Sequence, residues 1–154
     1  ARDMTTGALV VGLARGILVV MEGSLIIDTI VYGLAVAISA LPRAISAIGM
    51  LLVQSFLNLI IPSGSGLAAT TMPIMAPLSD VIGVTRQTAV LAYQFGDGIT
   101  NSLVPTSGVL LANLSIAKIK YEEWVKFVVP LMVLWTLMGC VFMIIAVAIN
   151  YGPF

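Results

Sequence analysis

Polar and glycine-rich breaks divide the apolar stretches of this chain in a pattern that plain membrane spans do not explain. Residues 4–22, 25–41, 44–82, 86–117 and 127–150 are the apolar segments. A helix of about 20 residues crosses the ~30 Å hydrocarbon core of a bilayer. Segment 4–22 therefore predicts a transmembrane helix. Arg15 lies near its middle, where it snorkels or pairs within the bundle, or else serves the substrate, and Glu22 follows two turns along the same face. Segment 25–41 predicts a membrane or interfacial helix that stops at Leu41-Pro42. Asp28 in its first turn suits the positive end of the helix dipole. Segment 127–150 carries no charge and predicts the last span.

The other two segments are interrupted. Residues 44–79 hold no charge for 36 positions, but Ile61-Pro62-Ser63-Gly64-Ser65-Gly66 places one proline and two glycines in the middle. These residues do not fit a helix interior. Two arms of about 17 and 14 residues remain, and the second carries Pro73 and Pro77. The pattern predicts a re-entrant helical hairpin over 44–82 with its tip inside the membrane. Gly83-Val84-Thr85-Arg86 is a turn with Thr85 as a helix cap. A helix from 86 to 96 then breaks within Gln94–Gly108 and resumes over 105–117, giving a broken transmembrane helix. Lys118–Lys126 reads as a polar loop with Tyr121 and Trp124 at the membrane interface.

The positive-inside rule fits this arrangement. Six plain spans would set Arg2, Arg43 and Arg86 against Lys118, Lys120 and Lys126, with no bias. A re-entrant hairpin and an interfacial 25–41 move Arg2 to the lysine side. The resulting four-to-two excess puts the lysine loop in the cytoplasm.

Composition agrees. Sixty per cent of residues are hydrophobic, nine per cent are charged and the mean hydropathy is +1.12. Soluble domains carry about 25% charged residues. The class is all-α integral membrane protein. Net charge is zero with no basic run, so nucleic acid is not an expected partner. The chain has no histidine and a single cysteine, Cys140. That removes Ser–His and Cys–His catalysis, an internal disulfide and a histidine-based zinc site. No signal-peptide pattern opens the chain, and its start at Ala1-Arg2-Asp3 without methionine suggests part of something longer.

The two interruptions share chemistry. Ile-Ile-Pro-Ser-Gly-Ser-Gly follows Asn58, and Leu-Val-Pro-Thr-Ser-Gly follows Asn101. Interrupted hydrophobic segments mark the binding sites of secondary transporters. Half-helix N-termini present free N–H groups and a positive dipole end to a carboxylate. Unwound carbonyls with Ser, Thr and Asn oxygens suit a small hard cation such as Na+. Asp97, an acid at membrane depth, neutralises that cation or carries a coupled proton. Small residues that merely allow close helix packing are the plainer reading of any one position. The paired breaks favour a site.

At these residues the chain resembles the YfcC-type carriers, which are related to the anaerobic four-carbon dicarboxylate carriers of the ion transporter superfamily. Asn58 to Pro77, Gln94 to Gly108, the opening Ala-Arg-Asp-Met and Gly12-Leu-Ala-Arg-Gly-Ile all fit that pattern. The Gly-Asp-x-x-Thr-Asn core is similar to the aminobenzoyl-glutamate transporters. The resemblance implies half of an inverted-repeat, elevator-type transporter, this chain being the C-terminal repeat and lacking its N-terminal partner. It implies a hairpin-tip site at Asn58, Ser63, Gly64, Ser65 and Gly66. It implies a broken-helix site at Asp97, Thr100, Asn101, Pro105, Thr106, Ser107 and Gly108. Na+ at Ser63, Ser65, Asp97 and Asn101, or H+, would be the coupling ion, with no other cofactor.

The expected function is secondary active transport of a small carboxylate or amino acid across a bacterial inner membrane, coupled to Na+ or H+ or by exchange. Lipid and the N-terminal repeat are the expected partners, and carriers of this kind are often homodimers. A basic amino acid antiporter and a non-transporting structural or assembly subunit are the alternatives. An intramembrane protease on Ser65 or Asp97 lacks a histidine base or a second motif-supported aspartate.

Overall fold

The computed structural model describes residues 23–152 continuously and, before them, residues 12, 13, 16, 19 and 20; the side chain of residue 27 is outside this description. Arg15, Glu22 and most of segment 4–22 therefore lie outside the described residues. Six helices follow one another, with no strand among the described residues: α1 Ile26–Ser39, α2 Arg43–Ile60, α3 Gly64–Ile82, α4 Arg86–Thr100, α5 Gly108–Ala117 and α6 Tyr121–Ala148.

Helix α2 is the centre. It packs most extensively against α4 and also meets α1, α3 and α6. Its inward face carries Ser46, Gln54 and Asn58 among Ala47, Met50, Leu51, Val53 and Leu57, all buried. Its outward face carries exposed Ile45, Leu52, Phe56 and Leu59. Apolar side chains outside and hydrogen-bonding ones inside is the arrangement a bilayer rewards. Lipid tails are as apolar as leucine, so packing and polar contacts join the helices.

Local contacts fix the turns. Pro42 opens α2, and the Ser46 hydroxyl lies 2.9 Å from the Ile38 carbonyl and 2.8 Å from that of Leu41, so it closes the end of α1. The α3–α4 turn uses Gly83 at φ 71°, a left-handed conformation that suits glycine. Arg86 donates to both carboxylate oxygens of Asp80 across that turn. Thr85 caps α4 by accepting from the Thr88 N–H at 3.2 Å.

Helices α2 and α6 are long and apolar enough to cross a membrane. At 28 residues α6 is about 42 Å long. Only Val128, Met132, Gly139, Met143 and Ala146 of it are buried, so most of its circumference is left for lipid or protein. It starts at Tyr121 rather than near 127. Glu122 and Glu123 fall in its first turn, where the helix dipole favours acids, so the expected polar loop shrinks to Lys118–Lys120. Helices α4 and α6 are tied at both ends. Thr85 Oγ1 donates to the Tyr151 carbonyl at 2.6 Å, and Trp124 Nε1 donates to the Ser102 carbonyl at 2.8 Å.

The segment 44–82 consists of two helices of 18 and 19 residues joined by Ile61-Pro62-Ser63. The second continues through Pro73 and Pro77, so its arm is longer than expected. Gln54 Nε2 donates to Thr71 Oγ1 at 3.0 Å, and Thr71 lies 2.8 Å from the Leu67 carbonyl, a buried link between the two arms.

Helix α4 extends to Thr100, beyond the expected end at 96, and α5 begins at Gly108 rather than 105. Gly96 and Gly98 thus stay helical. Gly96 is required there: a Cβ would lie 2.6 Å from Gln54 Cβ and 2.8 Å from the Ser55 backbone nitrogen. The chain unwinds over Asn101–Ser107. Pro105 has no N–H to give and biases Val104 away from helical backbone. Helix α5 packs closely on no other described helix, and only Leu114 of it is buried.

Candidate functional site

The tip between α2 and α3 and the C-terminal end of α4 meet at one cluster. On α4, Tyr93, Asp97 and Asn101 succeed one another at four-residue intervals, and Gly96 and Thr100 form the neighbouring row. Helical periodicity turns both rows toward α2 and α3. On α2, Asn58 ends the buried face one turn before Pro62.

The polar contacts form a directed relay. A carboxylate only accepts hydrogen bonds. Asn101 therefore turns its Nδ2 toward Asp97 Oδ1, at 3.0 Å. Its Oδ1 is then left as an acceptor, and Asn58 Nδ2 donates to it at 3.2 Å. The same Nδ2 lies 2.7 Å from Thr100 Oγ1 and 3.2 Å from the Asp97 carbonyl. Reversing the Asn58 amide would set its oxygen against the Asp97 carbonyl and Asn101 Oδ1, which are both acceptors. Asp97 thus orients Asn101, and Asn101 orients Asn58. Asn58 is fully buried, yet its Oδ1 has no hydrogen-bond partner among the described residues. Leaving such a group unpaired costs about 1–3 kcal/mol.

The other oxygen of Asp97 faces the start of α3. A Cβ on Gly64 would lie 3.0 Å from Asp97 Oδ2 and 3.4 Å from the Tyr93 hydroxyl. That hydroxyl donates to the Gly64 carbonyl at 2.7 Å. Ser63 caps α3, accepting from the Gly66 N–H at 3.4 Å, and its hydroxyl is 3.5 Å from that of the exposed Ser65. The Asp97 carboxylate therefore stands beside the first turn of α3, where a helix dipole favours negative charge.

In the break, Ser107 caps α5 and accepts from the Leu110 N–H at 3.4 Å. Thr106 Oγ1 is a second buried oxygen without a partner among the described residues. Pro105 and Gly108 are exposed. Asn58, Gly64, Asp97, Thr100 and Asn101 come together around the relay. Ser63, Ser65 and Gly66 ring the tip beside it, and Pro105–Gly108 form the α5 end of the break. Asp97 and Thr100 act from helical backbone rather than from unwound chain.

Sequence reasoning passed over Tyr93 and Gln54. Tyr93 sits four residues before Asp97, and that spacing is the signal that marks it. Gln54 sits one turn before Asn58 on the same face. Among the described residues no three His, Cys, Asp or Glu side chains come together.

Buried amides on a central helix, a lipid-compatible exterior and two helices long and apolar enough to span a bilayer fit a membrane protein. The chain belongs to the C4-dicarboxylate anaerobic carrier family, DcuC, whose model matches residues 1–148. It is 42% identical over 156 aligned residues to a protein of Escherichia coli (strain K12) named "Putative basic amino acid antiporter YfcC", covering 98% of this chain and 31% of that one. It is 39% identical over 149 residues to an uncharacterized protein of Haemophilus influenzae (strain ATCC 51907 / DSM 11121 / KW20 / Rd), covering 97% of this chain and 29% of that one. The chain thus spans under a third of the length of these relatives. No solved structure matches it.

Proposed function

We propose that this chain is half of the substrate and ion site of a secondary active transporter. The carrier moves a small carboxylate or amino acid across a bacterial inner membrane, coupled to Na+ or H+ or by exchange. The observation that carries this reading is the relay from Asp97 through Asn101 to Asn58, which joins a helix-pair tip to a helix break. Two buried oxygens, Asn58 Oδ1 in the relay and Thr106 Oγ1 in the break, have no hydrogen-bond partner among the described residues. Oxygen ligands suit a hard cation, and Ser63, Ser65, Asp97 and Asn101 supply side-chain oxygens at the tip and the relay. Segment 44–82 is read as a re-entrant hairpin, and a matching N-terminal repeat supplies the other half of an elevator-type site. Pairing of two such carriers in a dimer belongs to the same reading.

The placement of Asp97 favours an amine-bearing substrate. A carboxylate already stands at the N-terminus of α3, so a second carboxylate there meets like charge. An ammonium, Na+ or a proton neutralises Asp97, and the N-terminus of α5, with Ser107 and Thr106, is left for a substrate carboxylate. The name of the Escherichia coli relative points the same way, and antiport of a basic amino acid is the second reading.

The test is thermal unfolding of the purified full-length carrier against dicarboxylates, short fatty acids and basic amino acids, with and without Na+. A ligand that binds the folded state alone raises apparent stability by mass action. A rise with one class, enlarged by Na+, supports ion-coupled transport. A rise that depends on pH instead assigns the coupling to a proton. No rise with any ligand returns the chain to a structural role.

A further inference from the structure

The unwound segment between α4 and α5 exposes backbone carbonyls that no helix satisfies, and inside a bilayer each must find a donor. Two of them find it on α6. Trp124 Nε1 donates to the Ser102 carbonyl at 2.8 Å, and the Tyr121 hydroxyl donates to the next carbonyl, that of Leu103, at 2.5 Å. Tyr121 and Trp124 are three residues apart, one above the other on α6. Both are half-buried, and Trp124 leans on Phe127 with ring centroids 6.0 Å apart. Leu103 lines a groove of about 280 Å³ along α6 together with Val129, Met132 and Val133. The residue immediately before these two is Asn101, the middle member of the relay. Three consecutive residues thus divide their contacts: Asn101 faces Asp97 and Asn58, while Ser102 and Leu103 are held by α6.

We propose that Tyr121 and Trp124 are positioning residues, a clamp that holds the helix break in the shape that binds. An aromatic pair serving only as an interfacial anchor turns its polar ends to headgroups and water. Here both donors are spent on consecutive carbonyls of the break. Losing one hydrogen bond shifts the balance between held and released break by roughly two- to tenfold. A site competent only when held binds more weakly by up to the same factor, the full factor applying where the released form predominates, while substrate at saturation restores the held form. The clamp therefore sets KM more than maximal rate. That the break binds substrate rests on the function proposed above; that α6 holds it does not.

The experiment uses the full-length carrier with Tyr121→Phe, which removes the donor and keeps the ring, and Trp124→Phe, which removes the donor and leaves a smaller aromatic ring. Trp135→Phe, on an exposed face of α6, is the control. Hydrogen–deuterium exchange reads the break directly, because the Leu103 and Ser107 amides are bonded within it, to the Thr100 and Val104 carbonyls. Both variants are expected to exchange roughly two- to tenfold faster over residues 101–107, with α2 and Trp135→Phe unchanged. Wild-type exchange in both variants overturns the clamp, and so does acceleration spread over the whole chain. Uptake of L-arginine and of succinate into proteoliposomes is the second reading. The substrate that wild type moves should show a raised KM at similar maximal rate. Faster exchange with unchanged KM overturns the positioning role. If wild type moves neither compound, the substrate assignment falls, and the exchange result alone decides the clamp.

Discussion

Replacing Gly96 by alanine tests the close crossing of α2 and α4, on which the relay depends. The new Cβ would stand 2.6 Å from Gln54 Cβ and 2.8 Å from the Ser55 nitrogen, where nonbonded carbons rest at about 3.5–4.0 Å. Neither neighbour is the free end of a side chain, so the helices must part by roughly 1 Å. Overpacking of this kind costs about 1–3 kcal/mol. The same movement stretches two Asn58 bonds, now at 3.2 Å, out of range, at about 1 kcal/mol each. Alanine returns about 1 kcal/mol through helix propensity. The expected net loss is about 2–4 kcal/mol. Gly139→Ala is the matched control. Its Cβ meets Leu51 Cδ1 at 3.1 Å, a methyl that can swing aside, and the change should fall within about 1 kcal/mol of neutral. Denaturant unfolding of the full-length carrier in detergent measures both. Equal stability of the two variants, or a neutral Gly96→Ala, refutes the crossing geometry.

Asp97→Asn should abolish coupled uptake while the protein still inserts, because asparagine can donate as well as accept and no longer orients Asn101; wild-type uptake would remove Asp97 from the site. Thr106→Val deletes a buried hydroxyl without a partner among the described residues, so unfolding should show stability unchanged or raised by about 1 kcal/mol. If Thr106 ligates, stabilisation by Na+ or substrate should fall in the same variant. Gln54→Leu removes the link to Thr71 while Thr71 keeps the Leu67 carbonyl, and a loss of about 1 kcal/mol in the same assay is expected.

The helix breaks were legible because proline and clustered glycine oppose helical backbone whatever surrounds them. Ser63, Thr85 and Ser107 are helix caps of the types local chemistry favours. The error at Gly96-Asp97-Gly98 has a different origin. Two glycines weaken a helix in isolation, but Gly96 allows the approach of Gln54 and Ser55 on α2, which are distant in sequence. Tyr121 and Trp124 were misplaced for the same reason. Their composition reads as interfacial loop, and only the position of Ser102 and Leu103 shows what their donors meet. The direction of the Asn58 amide follows from Asp97 through Asn101, a chain of contacts with no local signature.

The uneven apolarity of the helices has a consequence for how the protein is made. Helix α6 carries no charge beyond Lys126 and can partition into lipid alone, whereas α4 contains Gln87, Gln94, Asp97 and Thr100 and cannot. Synthesis delivers α4 first. It must wait, shielded beside α2 or in the insertion machinery, until α6 arrives some twenty residues later and is tied to it at both ends. Damage to the apolar body of α6, beyond Tyr121 and Trp124, should therefore appear first as poor yield of inserted carrier, before any change in the binding chemistry of the molecules that do assemble.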